Sequence, residues 1–410
     1  MRVATPNKLA VQMKSYTIIL KVSLLAILLG IMGCSENSTN PSRNIPTLEE
    51  LSGIWVSPDS VDMEPSIRNF RGQALVNRDL TSISWFASAP YSGGYHTGTM
   101  RINGHTPKLS SFRWQPYQAL RKGKFESIEI LSTTRMLFEN DAVMWQVELT
   151  NSGKEPINIK VDIDMIGFIS KYGGDWQWWY PYPKINGTET KREEEVENVR
   201  KHLGEPIHEK EGYQWELVEG KPSYVKTILR WPSDEEILNA SKYVATGEGN
   251  VLLVSDKETD AKVAFGIVTP PNRIITKNSG GTACWELSLA PGEKRVIKYL
   301  MTYGDDFELL KKNLNVWTTQ YNSVFNSIKT SWEDKWAMIF KPNNSLISGC
   351  FPVLETDDKL ARKVYYTSPL TMLYLTNTNL PQHNKVFLTG GPRWGATITF
   401  FWDITIWSTL

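Results

Sequence analysis

The spacing of apolar residues changes once along this chain, near residue 305, and the change separates a strand-rich part from a helical part. Apolar residues alternate along 143–149 and again along 157–163, with NSGKEP between them, which predicts a β-hairpin with one buried face. The stretch CWELSLAPGEKRVIKYLMTYG repeats the form, with PGE as its turn. Because such units recur from about Ile54 to Gly304, the sequence predicts a large antiparallel sandwich.

Between Phe307 and Ile339 the apolar period becomes three to four residues, which predicts one amphipathic helix or two helices end to end. Asp305 and Asp306 stand where N-terminal caps belong. Within the strand-rich part, the charged stretch TKREEEVENVRKHLG near 190–204 predicts one further helix. The predicted fold class is therefore α+β and multidomain.

A second helical stretch is predicted to begin near Thr356, with Asp357 and Asp358 in its first turn and a kink at Pro369. A third is predicted to begin near Ala396 and to carry a run of large apolar side chains. Each such side chain that stays exposed to water loses roughly 1.5–3 kcal/mol of the stabilising free energy that burial would give. We therefore expect a helical domain that is only begun here and needs further helices to cover it.

The N-terminal region carries the apolar run IILKVSLLAILLGIMGC, which is too short for a membrane span and ends at Cys34. This region resembles a bacterial lipoprotein signal, with Cys34 as the lipidated first residue of the mature chain. A plain secretory signal or an uncleaved anchor is the alternative. We expect the mature protein in the bacterial cell envelope, lipid-anchored to a membrane and extracytoplasmic, on the periplasmic face or the cell surface.

The charge balance excludes one class of partner. The chain has 45 Lys plus Arg against 44 Asp plus Glu, which gives no electrostatic reason to expect a nucleic acid partner. Cys284 and Cys350 could form a disulfide, but two ordinary thiols are the favoured interpretation. His202 and His208 lie in a charged stretch that fits a surface helix better than a metal site. No metal and no redox or nucleotide cofactor is predicted.

The segment GGPRWGATITFFWDITIW, at 390–407, holds the residue types of a sugar-binding pocket. Aromatic rings stack on the C–H faces of sugars, while guanidinium and carboxylate groups hold the hydroxyls in bidentate hydrogen bonds. Arg393, Trp402 and Asp403 are the candidate substrate-binding residues. Asp403 lies within an apolar run, where a buried carboxylate needs a partner.

A second aromatic cluster, GGDWQWWYPYP at 173–183, is flanked by glycines and prolines and is predicted to form a loop. Its Trp176, Trp178 and Trp179 are too many for one strand face. They either shape the mouth of a substrate pocket or pack at a domain interface, where tryptophan is also enriched.

A third group, Trp85, Phe86, Tyr91 and Tyr95 around SAPYSGGYH, fits the core and turns of the sandwich.

The order of these parts and the pairing of GGPRW with FFWDITIW resemble the bacterial glycoside hydrolases that join an N-terminal β-supersandwich to a six-hairpin (α/α) toroid, the trehalase-like enzymes among them. In that family the matching Arg, Trp and Asp bind the sugar whose bond is cut, so the resemblance gives this role to Arg393, Trp402 and Asp403. Pro392 separates the glycines from the arginine, which departs from the trehalase pattern and favours another glycan as substrate.

The resemblance also implies a domain organisation and a mechanism. The implied organisation is a lipoprotein signal at 1–34, a tether at 35–50, a β-supersandwich at 51–304, linker helices at 305–342 and the start of a catalytic toroid at 343–410. The implied reaction is hydrolysis of a glycosidic bond with inversion, by a general acid and a general base that lie beyond residue 410. Asp403 is a weaker candidate for one of these two catalytic groups.

Three alternatives remain open at the level of sequence. Phosphate could replace water as the attacking group, as in some enzymes of this layout. The chain could instead be a non-catalytic surface lipoprotein that binds glycans through the 173–183 cluster, without any catalytic carboxylates. It could also be a structural envelope protein with no affinity for saccharides.

Overall fold

The protein is described here by a computed structural model. The structure describes residues 45–60, 65–94, 96–171, 209–218, 221–230, 233–379 and 386–387, and for 84–85, 209–218, 221–230 and 386–387 it describes the backbone alone. Within these ranges the protein is a large antiparallel β-sandwich followed by helices, as the sequence predicts.

The strands are β1 (Ser66–Arg68), β2 (Gln73–Val76), β3 (Ile83–Ser88), β4 (Tyr91–Gly93), β5 (Thr99–Ile102), β6 (Lys108–Gln115), β7 (Gln118–Phe125), β8 (Ile128–Met136), β9 (Ala142–Asn151), β10 (Ile157–Ile166), β11 (Ile169–Lys171), β12 (Glu209–Val218), β13 (Lys221–Arg230), β14 (Tyr243–Glu248), β15 (Val251–Asp256), β16 (Lys262–Ile267), β17 (Arg273–Lys277), β18 (Gly280–Leu289), β19 (Lys294–Gly304), β20 (Thr376–Asn377) and β21 (Val386–Phe387).

The helices are α1 (Leu48–Leu51), α2 (Asp234–Leu238), α3 (Phe307–Thr319), α4 (Tyr321–Met338) and α5 (Lys359–Leu375), with a 3₁₀ turn at Pro58–Ser60.

The strands form one large sheet faced by two smaller ones. The eight-stranded sheet has the order β14-β15-β16-β19-β9-β8-β7-β6, and the others are β17-β18-β10-β5 and β1-β2-β3-β4-β11. Two further pairs, β12-β13 and β20-β21, stand as separate ribbons. Apolar side chains from the three sheets meet in one core, in which Trp145, Val161 and Phe86 are almost fully buried. This core lies between the sheets.

The prediction of two hairpins is wrong, because in neither case do the two successive strands pair with each other. The strand pair β9 and β10 and the strand pair β18 and β19 each divide between the eight-stranded and the four-stranded sheet. Instead, β9 pairs with β19 in one sheet and β10 pairs with β18 in the other. Alternation shows that a strand has one face toward a core, but it does not show whether the next strand continues the same sheet or crosses to the facing one. The two turn sequences are therefore corners of the sandwich.

Asn151 joins these two corners. Its Nδ2 donates to the carbonyl oxygens of Glu155 and Leu289, at 2.8 and 3.0 Å, and its backbone N–H donates to Glu293 O at 3.0 Å. Its backbone carbonyl accepts from Gly292 N at 2.8 Å. The Asn151 side chain is fully buried, and these bonds satisfy its own amide and the buried carbonyl of Leu289.

The eight-stranded sheet is covered on its second face by the helices. Because side chains alternate along a strand, Met144 points away from the core that holds Trp145. Met144 and Leu300 belong instead to a second buried cluster, together with Leu314 of α3 and Trp332 of α4. Residues 307–339 therefore form two helices, which is one of the two arrangements that the sequence predicts. The apolar faces of both helices pack on the sheet.

The caps agree with the sequence in part. Asp306 caps α3 by accepting from the backbone N–H of Glu308 at 2.8 Å, whereas Asp305 pairs with a lysine described below. The start predicted at Thr356 is wrong, because Asp358 is the cap of α5 and accepts from Leu360 N at 2.8 Å. Pro369 lies inside α5.

Several predictions about single residues can be compared with the structure. Phe86 and Tyr91 are buried in the sandwich core, as predicted for the third aromatic group. The side chain of Trp85, and Tyr95, lie outside the described residues. Cys284 is a free buried thiol, so no bond joins it to Cys350. The predicted helix near 190–204 and its histidines also lie outside the described residues.

Replacing Asn151 by alanine should lower the free energy of unfolding by about 2–3 kcal/mol, because the buried Leu289 carbonyl and the partly buried hydrogen bond to Glu155 O lose their donor. Urea unfolding followed by tryptophan fluorescence measures this change. The matched control is Asn322→Ala, at an exposed position on α4, with an expected change within about 0.5 kcal/mol. Equal effects of the two variants would contradict the role of Asn151.

Candidate functional site

Four polar side chains meet at one end of the sandwich, where the helices begin to cover it. Arg71 Nε and Nη2 donate to the two carboxylate oxygens of Asp141, at 2.9 and 2.7 Å. The Ser88 hydroxyl lies 3.0 Å from Asp141 Oδ1, and Asn379 Nδ2 donates to Ser88 Oγ at 3.2 Å. We call Arg71, Ser88, Asp141 and Asn379 the turn cluster, because each lies in a different turn or loop or, for Ser88, at the end of the strand that precedes one.

The turn between β1 and β2 holds Arg71 in place. Asn69 Oδ1 accepts from the backbone N–H groups of Arg71 and Gly72, at 3.1 and 3.0 Å, which closes a tight local turn. A side chain at Gly72 would place its Cβ only 2.6 Å from Ala87 O and from Ser88 Cβ. Position 72 therefore admits only glycine without a shift of the neighbouring β3 strand.

The turn between β8 and β9 carries Asp141 and is bonded to the first turn. Asn69 Nδ2 donates to Leu137 O at 2.7 Å and to Asn140 O at 2.6 Å. The Tyr303 hydroxyl lies 3.4 Å from Asp141 Oδ1, and burial raises the pKa of Tyr303 well above its usual value. Tyr303 is therefore a neutral donor at this carboxylate.

The chain that follows α5 is bonded to the same turns. The backbone N–H of Thr378 donates to Phe70 O at 2.7 Å, and Asn377 Nδ2 donates to Arg71 O at 3.0 Å. Asn379 Nδ2 also donates to Ala89 O, at 3.0 Å. Residues 377–379 are thus fixed to the β1–β2 turn and to the β3–β4 turn at once.

Strand β11 reaches the other side of the β3–β4 turn. Lys171, its last residue, is the cross-strand partner of Tyr91, which in turn pairs with Ser88. The Lys171 ammonium group lies 2.7 Å from Asp305 Oδ2, and this hydrogen bond holds the pKa of the Asp305 carboxyl below its ordinary value of 3.8. The end of β11 is therefore tied to the start of α3.

These contacts bring together two points of the chain that are far apart in sequence. Residues 172–208 begin immediately after Lys171, and residues 380–385 begin immediately after Asn379. Both of these residues contact the short turn from Ser88 to Tyr91. The segment 172–208 therefore starts beside this turn, whereas 388–410 starts after Phe387, which pairs with Thr376 of β20.

The candidate residues themselves lie outside the described residues. These are Arg393, Trp402 and Asp403 in 388–410, Trp176, Trp178 and Trp179 in 172–208, and Cys34 in 1–44. Their predicted roles stay predictions.

The charges of the turn cluster are paired with each other. The hydrogen bond to Asp141 raises the pKa of Arg71, so this guanidinium group stays cationic. Since both carboxylate oxygens of Asp141 already accept hydrogen bonds, the cluster is better suited to holding the turns together than to transferring protons.

The described ranges contain neither a candidate membrane span nor a candidate metal site. No helix there is both long and apolar enough to cross a membrane. Nor do three or more His, Cys, Asp or Glu side chains gather there in a way that could hold a metal ion.

Comparison with known proteins gives only distant likenesses. No protein-family model and no curated protein matches the sequence. Among solved structures, a protein from the human microbiome described as a kojibiose phosphorylase has a TM-score of 0.47 and 8% identity over 83% of this chain and 43% of its own. A family 92 α-mannosidase from Bacteroides thetaiotaomicron has a TM-score of 0.38 and 8% identity, over 81% and 41%.

A bacterial glucoamylase solved with acarbose gives a TM-score of 0.36 at 8% identity, over 79% of this chain and 42% of its own. This chain thus spans less than half the length of these three proteins. All three TM-scores are below 0.5, so the likenesses carry no argument about activity.

Sequence reasoning did not find the turn cluster. Its four residues come from four connections spread over some three hundred positions, and no spacing rule relates them. The one local signal is the run TNTN at 376–379, since asparagine is frequent where side chains bond to nearby backbone.

Replacing Asp141 by asparagine should lower the free energy of unfolding by about 1–2 kcal/mol, because Arg71 loses a bidentate anionic partner in a partly exposed site. The matched control is Glu333→Gln, which breaks the exposed pair with Lys329 on α4 and should cost about 0.3–0.5 kcal/mol. Urea unfolding at neutral pH compares them. A smaller effect at Asp141 than at Glu333 would contradict the anchoring role.

The Lys171–Asp305 pair should make part of the stability sensitive to acid. The folded-state pKa of Asp305 lies below its ordinary value of 3.8, so its contribution is present above that value and is lost as the pH falls through the folded pKa. We expect Asp305→Asn to lose less stability than wild type between pH 6 and pH 3. The difference is small because the pair is half exposed. Identical pH dependence in urea unfolding would argue against the pair.

Proposed function

We propose that this chain forms the N-terminal part of an extracytoplasmic glycoside hydrolase that acts on an oligosaccharide or glycan. One observation carries the proposal. Residues 172–208, which hold one aromatic cluster, follow Lys171, and residues 388–410, which hold the other, follow β21, whose partner β20 ends two residues before Asn379. Lys171 and Asn379 both contact the Ser88–Tyr91 turn. A sugar pocket needs stacking rings and bidentate polar groups on the same side of the ligand.

The closeness of these attachment points supports a shared role for the two aromatic clusters, because a sugar pocket gathers its rings and its polar groups around one ligand. Arg393, Trp402 and Asp403 would then bind the sugar whose bond is cut, and Trp176, Trp178 and Trp179 would line the leaving-group side. Two tryptophan clusters from unconnected parts of the surface would favour separate roles instead.

The proposed reaction is hydrolysis with inversion of the anomeric carbon. A general acid protonates the leaving oxygen, and a general base activates water on the opposite face of the sugar. In this proposal both groups lie beyond residue 410, in further helices of a toroid, and Asp403 serves in binding. Phosphate as the attacking group is the variant of the same chemistry.

The location is part of the proposal. Cys34 would be lipidated and would hold the protein to a membrane of the bacterial cell envelope, with the sandwich outside the cytoplasm. Mass spectrometry of the purified mature chain tests this directly. A diacylated N-terminal cysteine is expected, and Cys34→Ser should release the protein from the membrane fraction.

The activity is tested on the complete protein with a panel of oligosaccharides, by release of reducing ends. Asp403→Asn should lower kcat/KM by about 100-fold or more, because a bidentate acceptor for sugar hydroxyls is lost. Asn379→Ala should lower it about tenfold, since the chain that leads to Asp403 loses its hydrogen bonds to Ser88 and Ala89 while Asp403 itself remains. The matched control is Asn322→Ala, an exposed asparagine on α4, with unchanged kcat/KM.

The results of these assays distinguish a glycoside hydrolase from a glycan-binding protein and from a structural protein. Wild-type turnover by Asp403→Asn would refute the site. If no glycan is cleaved but the protein binds glycans, and Trp176→Ala with Trp178→Ala and Trp179→Ala abolishes that affinity, the protein is a surface binding protein. A protein with neither turnover nor saccharide affinity would be structural.

A further inference from the structure

The ribbon of β12 and β13 has two faces of different composition. Within the described part of the chain these two strands pair only with each other, in antiparallel register from Glu209–Arg230 to Val218–Lys221. Residues that are partners in the register share a face, and successive positions along a strand alternate between the two faces. The backbone therefore assigns every residue of the ribbon to one face or the other.

One face carries aromatic residues, and we call it the aromatic face. It takes positions 209, 211, 213, 215 and 217 of β12 and their partners in β13. Three successive rungs of this face hold five aromatic or aliphatic residues and one lysine. These rungs are Tyr213 with Lys226, Trp215 with Tyr224, and Leu217 with Pro222.

The opposite face is mainly polar. Its matching rungs are Gly212 with Thr227, Gln214 with Val225, and Glu216 with Ser223. One apolar and one polar face are typical of antiparallel strands that are covered on one side and meet water on the other. A two-stranded hairpin without cover is at best marginally stable in water. The aromatic face is therefore the one that needs an occupant.

The ribbon is attached to the sandwich at the end away from the aromatic rungs. Glu209 and Arg230 form the rung at the base, and α2 begins four residues after Arg230. Ile237 and Leu238 of α2 are buried in the sandwich core. At about 3.4 Å per residue, the Trp215 rung lies roughly 20 Å along the ribbon from this base. The aromatic rungs are thus nearer to the tip than to the attachment.

The size of the aromatic face argues against a second copy of this chain as its occupant. Two strands of ten residues, at about 3.4 Å per residue and about 4.8 Å between strands, give a face of roughly 34 Å by 10 Å. This is about 340 Å², whereas a stable protein interface buries about 800 Å² on each partner. Two such faces packed together would bury less than half of that area.

The charges of the aromatic face cancel. Glu209 stands opposite Arg230, and Glu211 and Lys226 add one charge of each sign. Nucleic acids and anionic membranes are attracted by an excess of basic residues, which this face lacks. Aromatic rings pack on the C–H faces of sugars, and nearby polar groups hold the hydroxyls. A narrow strip of rings with a few charged groups of both signs therefore suits a chain of neutral sugars.

We propose that the aromatic face of the β12–β13 ribbon binds a neutral oligosaccharide. Trp215 and Tyr224 stack on sugar rings, and Glu211 and Lys226 form hydrogen bonds with sugar hydroxyls. The inference goes beyond the proposed function, because a surface of this kind binds a glycan whether or not the protein cleaves it.

The test measures the binding of maltohexaose, cellohexaose, mannohexaose and xylohexaose by isothermal titration calorimetry. The complete protein carries Asp403→Asn, which suppresses turnover in the proposed pocket. We expect at least one hexasaccharide to bind. Trp215→Ala combined with Tyr224→Ala should weaken this binding by about tenfold or more, because two stacking rings are lost.

The matched control changes the adjacent rung on the opposite face. Gln214→Ala combined with Val225→Ala should leave the affinity unchanged, because neither position belongs to the aromatic face. Trp215→Tyr alone keeps a ring at its position and should retain most of the binding. If the variant without both rings binds as tightly as the parent protein, or if the control weakens binding equally, the surface is refuted.

Other occupants of the aromatic face would give different results, and each would overturn the proposal. If no hexasaccharide binds and the loss of Trp215 and Tyr224 lowers Tm strongly, the face packs against the chain itself. If no hexasaccharide binds and the same variant converts a dimer to a monomer in sedimentation velocity, a second copy covers the face. Failure of the proposed function is separate, since a protein without turnover that still binds through the ribbon would refute the hydrolase alone.

Discussion

The central strands of the eight-stranded sheet are buried on both faces, and the arrangement of the other elements follows from this. In β9, Trp145 points into the core between the sheets, while its neighbour Met144 points toward the helices. Burying a large apolar side chain contributes roughly 1.5–3 kcal/mol, so α3 and α4 are held to the sheet by the same strands that hold the sandwich together. Trp332 of α4 also meets Phe70 edge-on at 5.4 Å, in the turn that carries Arg71. The helices and the turn cluster are thus packed as one body.

Much of the architecture could be predicted because it depends on periodicity. The alternation along 143–149 marks a strand, the change of period at Phe307 marks the helices, and Asp306 caps the first of them. Pairing could not be predicted in the same way. The stretch from Ala142 to Ile166 has the pattern of a hairpin but crosses between sheets, because one buried face per strand is equally consistent with two facing sheets.

The candidate site also has a part that could be predicted from the sequence and a part that could not. Residues such as Arg393 and Trp402 stand in a compact motif, and short motifs can be recognised in a sequence. The turn cluster cannot, because Arg71, Asp141 and Asn379 meet only after the sheets and α5 are in place. The structure therefore describes the turns that support the candidate site. It does not describe the groups that would touch a substrate.

The two corners that share Asn151 have a mechanical consequence. Their hydrogen bonds run between the ends of β9 and β18, which belong to facing sheets. Sliding one sheet over the other would have to break these bonds together with the interlocked side chains of the core, and it would leave buried carbonyls without donors. Shear between the layers is therefore resisted at both ends of β9, by Asn151 at one end and by the Arg71–Asp141 pair at the other.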